Sequence, residues 1–203
     1  MDPKKKALVA TERERPEVQR ARTAWVEQQI PSLHPFDLIF LDESGANLGM
    51  TPRYGYAPRG ERAVDHAPKH GGKNLTLIAG ISLRGTLAPR VLTGSLGGSE
   101  FLHWVTKDLA PCLWPGAVVI LDNLSTHSVD GVRAAIEARG ARLLALPPYS
   151  PDLNPIEHCW SKIKTILRRL KPRSLDAFLD AVAQALKAVS LADIAGWMIH
   201  CGY

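Results

Sequence analysis

The sequence predicts an α/β fold in which a mixed β-sheet is covered by helices on both faces. Three observations carry that expectation. Two short apolar runs, "FDLIFLDES" from Phe36 and "GAVVILDNLSTH" from Gly116, have the form of buried strands, and each delivers an acid at its end. Between them, "NLTLIAGISLRGTLAPRVLTG" reads as two strands turning around Arg84-Gly85. From there on, helical and strand patterns alternate, which places helices against a sheet rather than beside it.

The elements follow in order. Residues 1–34 are rich in Lys, Arg, Glu and Gln, with a weak helical pattern at Val18, Ala21 and Trp25, and read as an exposed charged arm or linker helix. Residues 35–203 form the main domain. Its first strand precedes the hairpin, and "GSEFLHWVTKDLAPCL" is a helix opened by a Gly/Ser cap and closed near Pro111. The strand before Asp122 is followed by "SVDGVRAAIEARG", a helix stopped by Gly140, and by "ARLLALPPY", a further strand. The last third is helical, over 155–171 and then through "SLDAFLDAVAQALKAV", with Ser174 as N-cap.

Composition sets the bounds. The 203 residues, 45% hydrophobic, are enough for one domain with a real core. No apolar run approaches the roughly 18–20 residues of a membrane helix, and the Lys4-Lys5-Lys6 start leads into charged sequence, so the expected location is the cytoplasm. Three widely spaced cysteines, Cys112, Cys159 and Cys201, suggest buried thiols rather than a disulfide framework or a metal site. A net charge of +5 permits a polyanionic partner. No Gly-rich nucleotide loop follows any strand.

The chemistry is carried by acids. In "IFLDES" successive side chains face opposite ways, so only one of Asp42 and Glu43 can serve a given site. Asp122 ends the second strand, and strand carboxyl ends are where ligands gather in open α/β sheets. The third acid stands in "LPPYSPDLNPIEHCW", where Pro147, Pro148, Pro151 and Pro155 restrict the approach and Asn154-Pro155-Ile156-Glu157 fit N-cap to N3 of a helix. Asn-x-x-Glu is also a variant of the capping box, so a purely structural role for Glu157 stands beside the catalytic one. In that helix Ile156, Trp160, Ile163, Leu167 and Leu170 define the buried stripe. One residue over, Glu157, Ser161, Lys164, Arg168 and Lys171 make a stripe that turns basic, either a phosphodiester track or a solvated charged face. Converging carboxylates repel unless they share a cation, and oxygen-only ligation suits Mg²⁺ or Mn²⁺. Two such ions about 4 Å apart would serve in-line phosphoryl transfer, as in a nuclease or transferase centre.

"FLDES", "GYAPRGER", "VVILDNLSTH", "LPPYSPDLNPIEHCWSKIK" and the closing "GY" together resemble the DDE catalytic domain of bacterial insertion-sequence transposases of the IS630 group, relatives of the Tc1/mariner transposases. The likeness runs over about residues 12–203. It implies a ribonuclease H-like fold with a mixed five-stranded sheet, and the catalytic, metal-holding triad Asp42, Asp122 and Glu157. Glu43 becomes a neighbour rather than a ligand. The interval of 35 positions from Asp122 to Glu157 fits the short final spacing of the group. The implied reaction is metal-dependent hydrolysis of phosphodiesters at the element's ends, followed by attack of the freed 3′-hydroxyl on target DNA, typically at TA. The implied cofactors are two Mg²⁺ or Mn²⁺ ions, and the implied assembly is a homodimer on DNA.

Other positions follow from the same motifs. Asn123 and His127 match the family's DN…H pattern as groups supporting the acids, with capping or core roles as the alternative. Arg53, Arg59 and Arg62, near "GYAPRGER", would contact backbone phosphates or simply decorate a solvated turn. Tyr149 and Trp160 are expected to pack, and no histidine spacing suggests a metal site. Full-length members also carry an N-terminal helix-turn-helix that reads the inverted repeats, whereas about 35 residues precede the first core strand here. The expectation is therefore the downstream half of a frameshifted gene, a truncated copy or an internally started product. A regulatory DNA-binding or dimerising fragment is the competing reading. Another metal-dependent nuclease is a further one, and an Asp-nucleophile phosphatase is disfavoured by Ser44 where Asp-x-Asp would be needed.

Overall fold

The computed structural model describes residues 10–52, 54–68, 71–72, 74–122 and 131–203. Five strands form one sheet: β1 (Leu38–Ala46), β2 (Leu75–Ser82), β3 (Gly85–Thr93), β4 (Val118–Leu121) and β5 (Arg142–Ala145). Their spatial order is β3-β2-β1-β4-β5, with β1 antiparallel to β2, β2 antiparallel to β3, and β1, β4 and β5 mutually parallel. The expected mixed sheet is present, and the hairpin turns at Leu83-Arg84, one residue before the expected Arg84-Gly85, because Gly85 already opens β3.

Strand alternation sorts the core into two halves. Leu38 and Phe40 of β1 and Val118 and Ile120 of β4 point to one face, under α4 (Ile156–Leu170), α5 (Leu175–Lys187) and α6 (Leu191–His200). Ile39 and Leu41 with Val119 and Leu121 point to the other, under α2 (Gly98–Trp104) and α3 (Val132–Glu137). The helix predicted from Gly98 does run to Cys112, but beyond Trp104 it widens into a π-turn and ends in a 3-10 turn at Pro111.

Two side-chain requirements hold the sheet in register. A Cβ on Gly80 would lie 2.8 Å from Leu41 Cδ2 and 3.2 Å from Ile39 Cγ2, so any side chain there would force these β1 side chains to shift. Next to Gly80, where the β2–β3 register shifts between Ile78 and Gly80, β3 carries a bulge in which Ala88 adopts φ 48°, and Trp104 Nε1 donates to its carbonyl at 2.9 Å.

Three features differ from the sequence reading. The apolar pattern does not separate α6 from the general helical character of the last third, although Ser190 and Asp193 build a reciprocal capping box at its start. Leu170, placed by periodicity on the buried stripe of α4, is 40% exposed, in the last turn of that helix. The N-terminal segment, expected as an exposed arm or linker helix, is helical over α1 (Pro16–Ala24) and continues as a π-turn through Gln29, but it buries Val18 and Trp25 instead of standing exposed.

Candidate active site

The strand register decides which acids meet. β1 and β4 run parallel with Phe40 opposite Ile120. Two residues further on, Asp42 and Asp122 therefore leave the sheet on the same face as Phe40 and Ile120, the face that α4 covers. Glu43 follows the parity of Leu41, on the opposite face, so alternation favours Asp42 as expected.

Glu157 is brought to this edge by the loop between β5 and α4. Pro155 already has helical angles (φ −57°, ψ −27°) while Asn154 is extended (φ −114°, ψ 98°), so the chain enters the helix where the sequence placed the entry. The capping box does not form. The Glu157 N–H donates to the backbone carbonyl of Asn154 at 3.2 Å, which leaves the Asn154 side chain without its usual target. Asn154 is 4% exposed, and its Oδ1 is buried with no hydrogen-bond partner among the described residues.

These residues share a cavity of about 390 Å³. Asp42 lies within β1, just past the end of its pairing with β4, Asp122 directly follows β4, Glu157 and Asn154 stand at the start of α4, and the wall between them is Leu146–Pro151. Tyr149 holds φ 54° in that wall and is 45% exposed, so it borders the cavity instead of packing as expected.

The electrostatics are those of crowded like charges. Burial, followed by the charges of Glu157 and Glu43, pushes the Asp42 carboxyl up to about 8. Glu157 lies at the rim and is exposed along one side, yet partial burial and the charge of Asp122 still raise it, against the pull of Lys164. Among the described residues no three acidic, His or Cys side chains already surround a single ion position. The donor set nevertheless suits a hard cation: carboxylate oxygens whose repulsion a cation would relieve, and an unpartnered amide oxygen beside them.

Asp42 has one specific partner that the sequence reading missed. Trp160 Nε1 donates to its Oδ2 at 3.1 Å from α4, so a residue expected only to pack also fixes the carboxylate's orientation. Its place on the apolar stripe conceals this, because periodicity reports the buried face of an indole and not where its N–H points.

The remaining predicted positions are dispersed. Lys164 and Arg168 lie half-exposed on α4, on the line that starts at Glu157. Lys171 ends that helix with φ 50°, and its ammonium pairs with Asp65 at 2.7 Å. Arg59 and Arg62 are exposed in the long β1–β2 connection, away from the cavity. That connection is tied to the end of α4 by Arg173, which donates to the carbonyls of Leu48 and Met50. Arg53, Asn123 and His127 lie outside the described residues.

Residues 37–179, which include all three acids, match the family model described as DDE superfamily endonuclease. The chain belongs to the DDE superfamily endonucleases. Among curated relatives, this DDE domain is 35% identical to the Transposable element Tc1 transposase of Caenorhabditis elegans, over 39% of the chain and 29% of that protein. It is 26% identical to the Transposable element Tcb1 transposase of Caenorhabditis briggsae, over 93% of the chain and 72% of that protein. Against the Mos1 mariner paired end complex with Mn, the TM-score is 0.79 at 17% identity, covering 98% of this chain and 64% of that one. The DDE domain thus has the ribonuclease H-like fold expected for it, and its match spans less than a third of the length of the Tc1 transposase.

Proposed function

We propose that this DDE domain cleaves DNA phosphodiesters at the ends of an insertion sequence of the IS630 group and joins the freed strand to target DNA. The observation that carries the reading is the convergence of Asp42 from the middle of β1, Asp122 from the end of the parallel β4, and Glu157 from the head of α4, on one cavity. The relatives it resembles are transposases, and Mos1 structures are described with Mn and with Mg.

Asp42, Asp122 and Glu157 would hold two Mg²⁺ or Mn²⁺ ions. Such ions supply charge stabilisation for the attacking and leaving oxygens of an in-line displacement. Trp160 orients Asp42 by occupying one carboxylate oxygen, and the prolines before α4 limit how far Glu157 can drift from its partners. Lys164 and Arg168 offer cations to a backbone leading toward Glu157, with Arg53, Arg59, Arg62 and Lys171 as further phosphate contacts and Asn123 and His127 as supports of the acids. A homodimer on DNA, in the bacterial cytoplasm and at the nucleoid when active, completes the proposal.

The test is nicking and strand transfer on short duplexes carrying the element's ends, at low salt with Mn²⁺, for the chain and for Asp122→Asn. Metal-dependent products that vanish in the variant are expected. Products that persist at the same rate in Asp122→Asn would refute the assignment.

A further inference from the structure

The loop that carries Glu157 holds one 3-10 turn of its own, with the Leu153 N–H donating to the Ser150 carbonyl at 3.0 Å and the Asn154 N–H to the Pro151 carbonyl at 3.1 Å. Four of the residues from 147 to 155 are prolines and contribute no N–H, so the segment depends on outside partners to hold one conformation. Those partners come from the two ends of the chain. Arg22 grips Asp152 with both terminal nitrogens, Nη1 donating to Oδ1 at 3.1 Å and Nη2 to Oδ2 at 2.8 Å. The same Nη1 donates to Ser150 Oγ at 2.6 Å, and that hydroxyl donates to the Pro148 carbonyl at 3.0 Å. Arg13 adds a bond to Asp152 Oδ2 at 2.9 Å. Independently, Trp25 Nε1 donates to the Tyr203 hydroxyl at 3.0 Å, and that hydroxyl donates to the Leu153 carbonyl at 2.9 Å.

We infer that the segment from Arg13 to Trp25 is a positioning element of the active site, acting on Glu157 and on the cavity wall through Arg22–Asp152, Arg22–Ser150 and Trp25–Tyr203–Leu153. This rests on the proposed function above. Three neighbouring residues, Ser150, Asp152 and Leu153, are held from outside, and Ser150 itself lines the cavity. The Tyr203 ring also packs edge-on against Phe40, 4.7 Å between centroids, two residues before Asp42 on the same face of β1. One clasp thus touches the supports of two of the three acids.

The arrangement is suited to orientation more than to stability. Asp152 is 45% exposed, and ion pairs of that kind add little to folding, whereas a bidentate guanidinium–carboxylate pair fixes direction. Burial works to raise the Asp152 pKa, but the hydrogen bond and charge of Arg22 and the charge of Arg13 outweigh it, so the carboxylate stays ionised for the clasp.

The experiment measures Mn²⁺ binding by calorimetry and single-turnover nicking for the full chain, Arg22→Ala, Arg22→Lys, Tyr203→Phe and the exchanged pair Arg22→Asp with Asp152→Arg. A loss of ten-fold or more in nicking rate, toward the roughly hundred-fold that about 1 Å of misplacement costs, is expected in Arg22→Ala, with weaker Mn²⁺ binding and unchanged DNA affinity. Arg22→Lys recovers only part of it, because lysine cannot make the bidentate contact, and the exchanged pair recovers more than either single reversal. Tyr203→Phe keeps the ring against Phe40 and removes only the hydroxyl, so it carries the test if Arg22→Ala does not fold. Variants that bind Mn²⁺ and nick like the unmodified chain would overturn the inference alone. An unmodified chain that neither binds Mn²⁺ nor nicks would overturn the reading of the site, and this inference with it.

Discussion

Replacing Asp42 by asparagine is expected to stabilise the metal-free protein at neutral and alkaline pH while abolishing cleavage. The folded state lifts the Asp42 carboxyl from 3.8 to about 8, chiefly by burial and then by the charges of Glu157 and Glu43. The sign follows from proton binding. Between these two values the folded chain holds a proton that the unfolded chain has released, so stability is full below about pH 4 and falls as pH rises toward 8. Each pH unit costs about 1.4 kcal/mol, so the span of some four units amounts to about 6 kcal/mol at pH 8. That is large against a total of roughly 5–15 kcal/mol for a domain. In Asp42→Asn the new amide would have the same shape as the carboxyl, keep an oxygen for Trp160 Nε1 and carry no charge. Urea denaturation in the presence of EDTA, at intervals from pH 4 to pH 8, would show the two proteins converging at the acid end and the variant ahead at the alkaline end. Mn²⁺ at a hundred times its dissociation constant would return about 2.7 kcal/mol to the unmodified protein and far less to the variant. Parallel pH profiles for the two proteins would refute the reasoning, because they would mean that Asp42 ionises in the folded state as freely as in the unfolded one.

Three further outcomes are expected. Trp160→Phe keeps an aromatic ring on the α4 stripe but removes the donor to Asp42, and a roughly 10–100-fold loss of Mn²⁺ affinity or nicking rate should follow; unchanged metal titrations would make Trp160 a packing residue after all. Lys164→Ala with Arg168→Ala should weaken duplex binding and reduce the log–log salt slope by about 1.8 if both contact phosphate, measured by fluorescence anisotropy over a series of salt concentrations, whereas an unaltered slope would mark an ordinary solvated helix face. Gly80→Ala forces a methyl group against Leu41 and Ile39, next to Asp42 on β1, and should cost about 1–3 kcal/mol in denaturant titrations; a neutral effect would show that β2 can shift away from β1 at no cost.

What the sequence discloses and what it withholds divide along one line. Apolar runs leading into acids reveal β1 and β4, and strict alternation shows that only one of Asp42 and Glu43 can serve the site, because both depend on local periodicity that the sheet preserves. The choice of Asp42 comes from the family resemblance, and β1 runs on past both acids to Ala46. The helix entry at Pro155 is legible for a similar reason, since proline fixes its own φ. Long-range hydrogen bonds leave no such trace. Trp160 and Asp42 are 118 residues apart, Arg22 and Asp152 are 130 apart, and Trp25 and Tyr203 are 178 apart, so no local window of sequence contains both members of any of these pairs. Charged residues at the start of the chain therefore read as a solvated arm, when Arg13 and Arg22 are spaced to reach one carboxylate.

Asn154 shows how a legible local signal can conceal a distant one. Its side chain satisfies every sequence criterion for an N-cap, and the main chain makes that role redundant by giving the Glu157 N–H to the Asn154 carbonyl. A buried amide oxygen released from capping and left without a donor among the described residues is costly in a finished core and costs much less where a cation or its hydration shell will meet it. Asn154→Leu separates the two possibilities. Removal of an unsatisfied polar atom from a core should leave stability unchanged or raise it, whereas removal of an oxygen that faces the ions should also weaken the Mn²⁺-dependent gain in stability. Thermal denaturation with and without Mn²⁺ measures both, and a full metal-dependent gain in the variant would return Asn154 to the role of a structural residue at the turn.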